Sequence, residues 1–366
     1  MKRVIVLLGV LLLLAGIVFG ELQWGPISSQ NIFRTLQKQM PRQVSITPPP
    51  TVVPHRPNFA TGIIFPQWGT SAYGKQDTNW QKGLREIKQL HTRWIAITLP
   101  LHMLGPQATQ IQIRTDTPTS QAFQEGIEQA HQLGFHVFVT PLITLDGVQN
   151  WAGYISFYTE WQAQTWFSSY WQTLQPYIRV MEQEHVEMLS IGNEYDRLED
   201  ESPAQWNQLI QEIRSDFSGK LIYDINWASF TRPLPSWLGQ LDTIGCSTYF
   251  SVTTTSQRLT DHQAIALWKS NVQSQLDHIA QQVGKPIFIT EIGYRSGITS
   301  GYLPYEGERQ EARDDQEQAI LYNAAMQNLS IDYNVSGVFW WAWSTPPFTP
   351  NKKATTQVLI HWFLYL

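Results

Sequence analysis

Cysteine is almost absent. Cys246 alone among 366 residues excludes an intramolecular disulfide framework and any cysteine-rich zinc site. Charge is sparse as well, at 15%, with 25 Lys and Arg against 30 Asp and Glu. No basic stripe is there to neutralise phosphates, so a nucleic-acid partner is not expected. The histidines form no spaced ligand set such as His-Glu-x-x-His, and neither a metal nor a cofactor is expected. Aromatic residues are what the chain has in quantity: 16 Trp, 14 Tyr and 16 Phe. Flat rings stack on sugar faces, but they also fill large cores, and only their placement separates the two uses.

Lys2 and Arg3 precede an apolar run from Val4 to Phe19, and polar sequence begins at Glu21. A charged start followed by such a run is an export signal, either cleaved or kept as an anchor, over residues 1–20. The remainder is then expected outside the cell, secreted or held on the outer face of the cytoplasmic membrane. Residues 21–57 follow as a proline-rich tether, with five prolines in ITPPPTVVPHRP (46–57) favouring extended chain. One folded domain is expected over 58–366.

Within that domain, short apolar runs alternate with longer amphipathic ones. The expected strands are 61–66, 93–100, 135–143, 186–193, 220–227, 242–249, 286–293 and 336–343, rich in β-branched and aromatic residues. Helical spacing marks 77–91, 119–133, 158–183, 202–213, 261–283 and 309–329, and the fifth connection is short and proline-rich. The last segment, QVLIHWFLYL, is expected to close the domain as a helix. Eight strands, each followed by a helix or its remnant, is the rhythm of an α/β (β/α)8 TIM barrel. A doubly wound open sheet would show a Gly-rich phosphate loop after its first strand, where this chain reads FPQWGTSAYG.

Barrel enzymes carry their chemistry at the C-terminal ends of the strands. The fourth run ends SIGNEYD, with Asn193 and Glu194 at its tip; the seventh ends ITEIGYRS, with Glu291 at its tip. Strands four and seven face each other across a barrel mouth. Two carboxyls on either side of a bound sugar are what glycoside hydrolysis uses, one protonated to assist the leaving oxygen and one ionised to attack or to activate water. A glutamate at a strand end often only pairs with an arginine, and Arg197 and Arg295 are at hand. The coincidence of both glutamates with so many rings favours chemistry.

These motifs resemble the clan A glycoside hydrolases, and within them glycoside hydrolase family 113, whose characterised members are β-mannanases. The resemblance runs through Gly62, TPTSQAF (117–123), IGNE (191–194), DTIGCSTYF (242–250), TEIGYRS (290–296) and GVFWWAW (337–343). It implies a retaining double displacement with Glu194 as acid/base and Glu291 as nucleophile. It further implies that Asn193 binds the sugar 2-hydroxyl, that Tyr249 orients Glu291, and that one of Trp340, Trp341 and Trp343 is the sugar platform. Strand alternation puts Phe339 and Trp341 on one face and Trp340 on the other. Tyr294 and Arg295, directly after the seventh strand, are expected at the substrate. Two features depart from the family pattern: Thr140-Pro141-Leu142 stands where a basic residue and a histidine are often found, and ITLPLHML lacks an arginine typical of the clan.

Trp68, Trp151 and Trp227 fall on loops of the catalytic face and are expected as stacking residues or loop anchors. The rings of FYTEWQAQTWFSSYWQ are expected to pack inward from a helix. His136 reads as a core histidine, DRLEDE (196–201) as a solvated acidic loop, and 307–317 as the exposed start of a helix. The expected activity is endo-β-1,4-mannan hydrolysis, with a neutral polysaccharide as partner. The alternatives are the same mechanism on another β-glycan such as a glucan, or a surface carbohydrate-binding barrel without turnover.

Overall fold

The computed structural model describes residues 55–147 and 150–366. The expected export signal and residues 21–54 of the expected tether lie outside the described residues. Arg56, placed by sequence in the tether, is anchored in the domain: its guanidinium is buried and donates to the carbonyls of Leu329, Asp332 and Val335, each at 2.7 Å.

Eight parallel strands close into a barrel: β1 Ala60–Ile64, β2 Trp94–Met103, β3 His136–Leu145, β4 Met188–Asn193, β5 Lys220–Asn226, β6 Gly245–Ser247, β7 Ile287–Ile292 and β8 Val335–Trp340. Each pairs with the next, and β8 returns to β1 in the register Gly62↔Phe339. All eight match the runs read from the sequence. Their interior side chains, Ile64, Ala96, Phe138, Met188, Ile222 and Phe339, form one buried cluster, with Trp94, Phe288 and Trp341 packed against it. Gly62 is required there, because a Cβ would sit 2.2 Å from the Phe339 ring. A missing side chain on β1 thus lets β8 fill the barrel axis.

Helices surround the strands: α1 Thr78–Lys88, α2 Ser120–Gln132, α3 Glu160–Gln183, α4 Pro203–Asp216, α5 Asp261–Trp268, α6 Ser274–Val283, α7 Asp315–Leu329 and α8 Ala354–Tyr365. Local chemistry sets their starts. The Thr119 hydroxyl accepts from the Ala122 amide, and Thr159 and Gln162 form a capping box at α3. Pro203 opens α4 in the first helical position, although the Ser202 hydroxyl makes no capping bond. A π-turn at Lys269–Gln273 joins α5 to α6. Between β5 and β6 the chain makes only two 3-10 turns, Trp227–Thr231 and Ser236–Gln240, as prolines 233 and 235 interrupt helix formation.

The space between β4, β5 and the α3/α4 layer is filled with rings. Trp166, Tyr170, Tyr195, Trp206, Tyr223 and Trp237 are essentially fully buried, and Trp206 stacks on Trp237 at 4.4 Å. Such pairs add roughly 0.5–1.5 kcal/mol each beyond their burial. This shell backs the end of β4, where Glu194 stands.

Four local expectations are corrected. His136 is exposed because it is the first residue of β3, at the open N-terminal rim of the barrel, where it lies beside the Trp94 ring at 5.0 Å and pairs with Glu187 at 2.9 Å. DRLEDE is not a solvated loop: Leu198–Glu201 form a helical turn, and buried Glu199 accepts from the Tyr223 hydroxyl and from Arg232. Residues 307–314 precede α7 as irregular chain, and Asp314 caps it through the amides of Gln316 and Glu317. The ring-rich segment divides, with Trp166, Phe167 and Tyr170 of α3 buried but Trp161 at its start and Tyr158 before its cap exposed by 68% and 86%.

Candidate active site

The ends of β4, β6 and β7 meet at one edge of the barrel. Glu194 follows β4 directly, with φ of 53°, a left-handed conformation that non-glycine residues adopt at a cost of order 1–3 kcal/mol. Its amide donates to the carbonyl of Asp224 at 2.9 Å, which fixes this turn against β5. The carboxylate is held at both oxygens. Oε1 accepts from the Ser247 hydroxyl, and Oε2 accepts from the Trp151 indole N–H at 2.8 Å.

Glu291 lies opposite Ser247 in the β6–β7 register and accepts from the Tyr249 hydroxyl at 2.6 Å. The two glutamates are thus linked through Ser247 and Tyr249, alternate residues of one short strand and its continuation. The register shifts at Cys246/Ser247 and at Ser190/Asn193. Irregular pairing next to a site re-aims side chains there.

Beneath the pair sits Asp224, fully buried on β5. It accepts from the Thr290 hydroxyl and, at 3.3 Å, from the side-chain amide of Asn193. Sequence reading did not single out Asp224, Ser247, Asn226 or Thr290. A signal for them existed: Asp224 and Asn226 alternate along LIYDIN, and Ser247 and Tyr249 along CSTY, which puts polar groups on one face of otherwise apolar strands.

Burial dominates the electrostatics. It pushes Glu291 up to about 8, the negative charge of Glu194 adding to the rise and the Tyr249 hydroxyl opposing it. Burial also raises Glu194, against donors from Ser247, Trp151 and Asn226. Asp224 is lifted well above the carboxylate range by burial and by Glu194. At neutral pH the two glutamates therefore favour one negative charge between them over two.

The remaining expected site residues divide into two groups. Trp341 packs over the barrel interior, with its amide bound to the carbonyl of Ile292 at 2.8 Å, one residue beyond Glu291. Trp340 points outward onto Tyr322 at 3.9 Å, and Trp343 is buried. Trp227, after β5, stacks with Tyr305 at 5.6 Å, and Trp68 is 54% exposed on the loop after β1. Tyr294 and Arg295 do not reach the cleft. Tyr294 is buried with its hydroxyl accepting from Trp268 at 2.9 Å, and Arg295 is buried against Glu311 at 2.9 Å. Beyond Gly293, Tyr294 packs against α5 and α7, and Arg295 against the loop residues Leu303, Pro304 and Glu311.

The departures noted in β2 and β3 have a structural setting. These strands pair over ten residues each, from Trp94↔His136 to Met103↔Leu145, longer than any other pair of the barrel. Thr140-Pro141-Leu142 thus lies within a strand, and Leu142 and Ile143 line a small pocket with Trp151 and Asn193. The bridge Thr144↔Trp151 hangs the tryptophan from this ribbon. Polar side chains beside it are paired, His102 with Asp116 at 2.8 Å and Arg114 with Asp146 at 2.7 Å.

Opposed carboxyls across the mouth of a parallel barrel are the equipment of a glycoside hydrolase. The profile of Glycoside Hydrolase Family 113 matches residues 67–360, and the chain belongs to that family, within clan A. No curated protein matches the chain. Among solved structures, a family 113 β-1,4-mannanase is similar, with TM-score 0.73 and 21% identity over 84% of this chain and 100% of that one. So is the β-mannanase AaManA from Alicyclobacillus acidocaldarius, in complex with ManMIm, at TM-score 0.70 and 23% identity over 84% and 97% of the two chains. A β-glucuronidase from Ruminococcus gnavus is more distant, at TM-score 0.56 and 11% identity over 84% and 50%.

Proposed function

We propose that the protein is a retaining endo-β-1,4-mannanase. The observation that carries the mechanism is the linked pair Glu194–Ser247 and Tyr249–Glu291, held in one cleft by neighbouring strands. Glu291 attacks the anomeric carbon as Glu194 gives a proton to the departing glycosidic oxygen, and the C–O bond breaks. A water then attacks the glycosyl ester, losing its proton to Glu194, and Glu291 leaves as carboxylate with the original stereochemistry restored.

The pair needs one proton, which its raised pKa values supply at neutral pH. Glu194 has more donors than Glu291, which favours charge on Glu194 and the shared proton on Glu291. The first step requires it on Glu194. Binding must therefore redistribute it, as the sugar 2-hydroxyl donates to Glu291 and the leaving oxygen displaces a donor from Glu194. Asn193, steadied by Asp224, is placed to bind that 2-hydroxyl. Trp341 supplies the platform, and Trp68, Trp151 and the Trp227–Tyr305 stack extend it. Family 113 membership and the two β-mannanase neighbours favour mannan over other β-glycans.

Residues 1–20 are inferred to direct export, and residues 21–54 to space the barrel from the membrane or to remain as a leader on a secreted form. Cell fractionation with an N-terminal sequence of the exported protein checks both points. The enzymatic test is a product profile on β-mannans, β-glucans and xylans, with Glu291→Gln as control. Short manno-oligosaccharides from the parent alone support the proposal. Products from another glycan would overturn the substrate and keep the mechanism.

A further inference from the structure

A second groove lies on the outside of the barrel between α3 and α4, and none of its lining residues belongs to the catalytic cleft. It encloses about 480 Å³, within the ~300–1,000 Å³ of small-molecule sites. Five glutamines line it, and no lysine, arginine or histidine does. Three of those amides, on Gln110, Gln164 and Gln205, make no hydrogen bond among the described residues. The single acid, Glu212, already accepts from Gln208 at 3.0 Å. Trp161 stands at the edge of the groove, 68% exposed and without a ring partner among the described residues.

This combination selects a class of ligand. An amide offers donors and an acceptor on one planar group, which matches adjacent hydroxyls that must both give and receive. The lack of positive charge disfavours a polyanion. A large exposed indole on a helix start costs solubility unless a flat partner covers it, and a pyranose face is such a partner. The groove also sits on the useful side. Helices of the barrel run back against the strands, so the first turns of α3 and α4 lie at the end of the barrel where Glu194 stands. Trp161 and Gln164 are in the first turns of α3, and Gln205 in that of α4. The segment entering α3 begins with Trp151, the donor to Glu194.

We propose that this groove is a second carbohydrate site, which holds a neutral β-linked polysaccharide beside the cleft, with Trp161 as its stacking platform. The idea rests on the reading of the enzyme as a polysaccharide hydrolase, and the test separates the two. Retention of the full chain on insoluble mannan, cellulose and xylan is measured for Glu291→Gln, alone and combined with Trp161→Ala or Trp161→Phe. Turnover of mannohexaose is measured for the parent and the single Trp161 variants. We expect Trp161→Ala to weaken retention roughly three- to tenfold, Trp161→Phe to restore most of it, and mannohexaose turnover to stay at the parent rate. Equal retention with and without Trp161 overturns the site, as does a Glu291→Gln protein that none of the three polysaccharides retains. Slower mannohexaose turnover in Trp161→Ala also overturns it, because the residue then serves the cleft. If mannohexaose is not cut by the parent but Trp161→Ala still loses retention, the groove stands and the mannanase reading falls.

Discussion

The indole N–H of Trp151 lies 2.8 Å from Oε2 of Glu194, so a loop borne by the β2–β3 ribbon touches the proposed acid/base directly. A donor stabilises the charged form of a carboxylate. Trp151→Phe keeps the ring and removes the donor, so the pKa of Glu194 rises. The basic limb of the kcat/KM profile is expected to move to higher pH, with kcat/KM at neutral pH lowered about fivefold. An unmoved limb in a full pH–rate series would mean that Glu194 does not govern it.

The two glutamates should fail differently. Glu291→Gln is expected to lower kcat by about 10³-fold or more on every substrate. Glu194→Gln should lose as much on mannohexaose but far less in the first step with a 2,4-dinitrophenyl β-mannoside, whose leaving group needs no proton. Rescue by azide should return activity to Glu194→Ala and form the β-glycosyl azide. Stopped-flow release of dinitrophenolate distinguishes the roles, and identical losses on both substrates would reverse or dissolve the assignment.

Glu291 also links pH to stability. Its folded pKa of about 8 exceeds the ordinary 4.5, so the native state binds the extra proton between those values. Stability therefore falls as pH rises through that window. Glu291→Gln removes the penalty, and the variant should gain up to about 3 kcal/mol over the parent at pH 8 and nothing at pH 4. Chemical denaturation at the two pH values measures this. A parent more stable than the variant at pH 8 contradicts the buried-charge account.

Arg295 offers the opposite case, a charge that belongs to the structure. Arg295→Met leaves Glu311 partly buried without its partner, which costs about 3 kcal/mol and lowers the melting temperature by roughly 5–10 °C. Glu311 is held below the usual carboxylate range, its main lowering partners being Thr299 and Arg295. The stability it contributes is present at neutral pH and lost as pH falls through its folded value. KM should not change below the melting transition, whereas a residue at the substrate would raise it.

The barrel was legible because its strands are buried on both faces and announce themselves as unbroken apolar runs. Glu194 and Glu291 were legible for a related reason, as polar tips on such runs. Tyr294 and Arg295 misled because sequence proximity to Glu291 carries no information about which way the chain turns after Gly293. Asp224 and Ser247 left a fainter mark, each showing only as one member of an alternating polar pair, Asp224 with Asn226 and Ser247 with Tyr249, inside a mostly apolar run. The exposure of Trp161 escaped notice because helical spacing reports the face that packs, and says little about a ring on the first turn.

The long β2–β3 ribbon joins the height of the cleft to its chemistry through the contact of Trp151 with Glu194. The two proposed catalytic glutamates stand at the ends of β4 and β7, while the wall beside them hangs from strands that bear neither. A change in the length of that wall that moves Trp151 therefore reaches Glu194 as well.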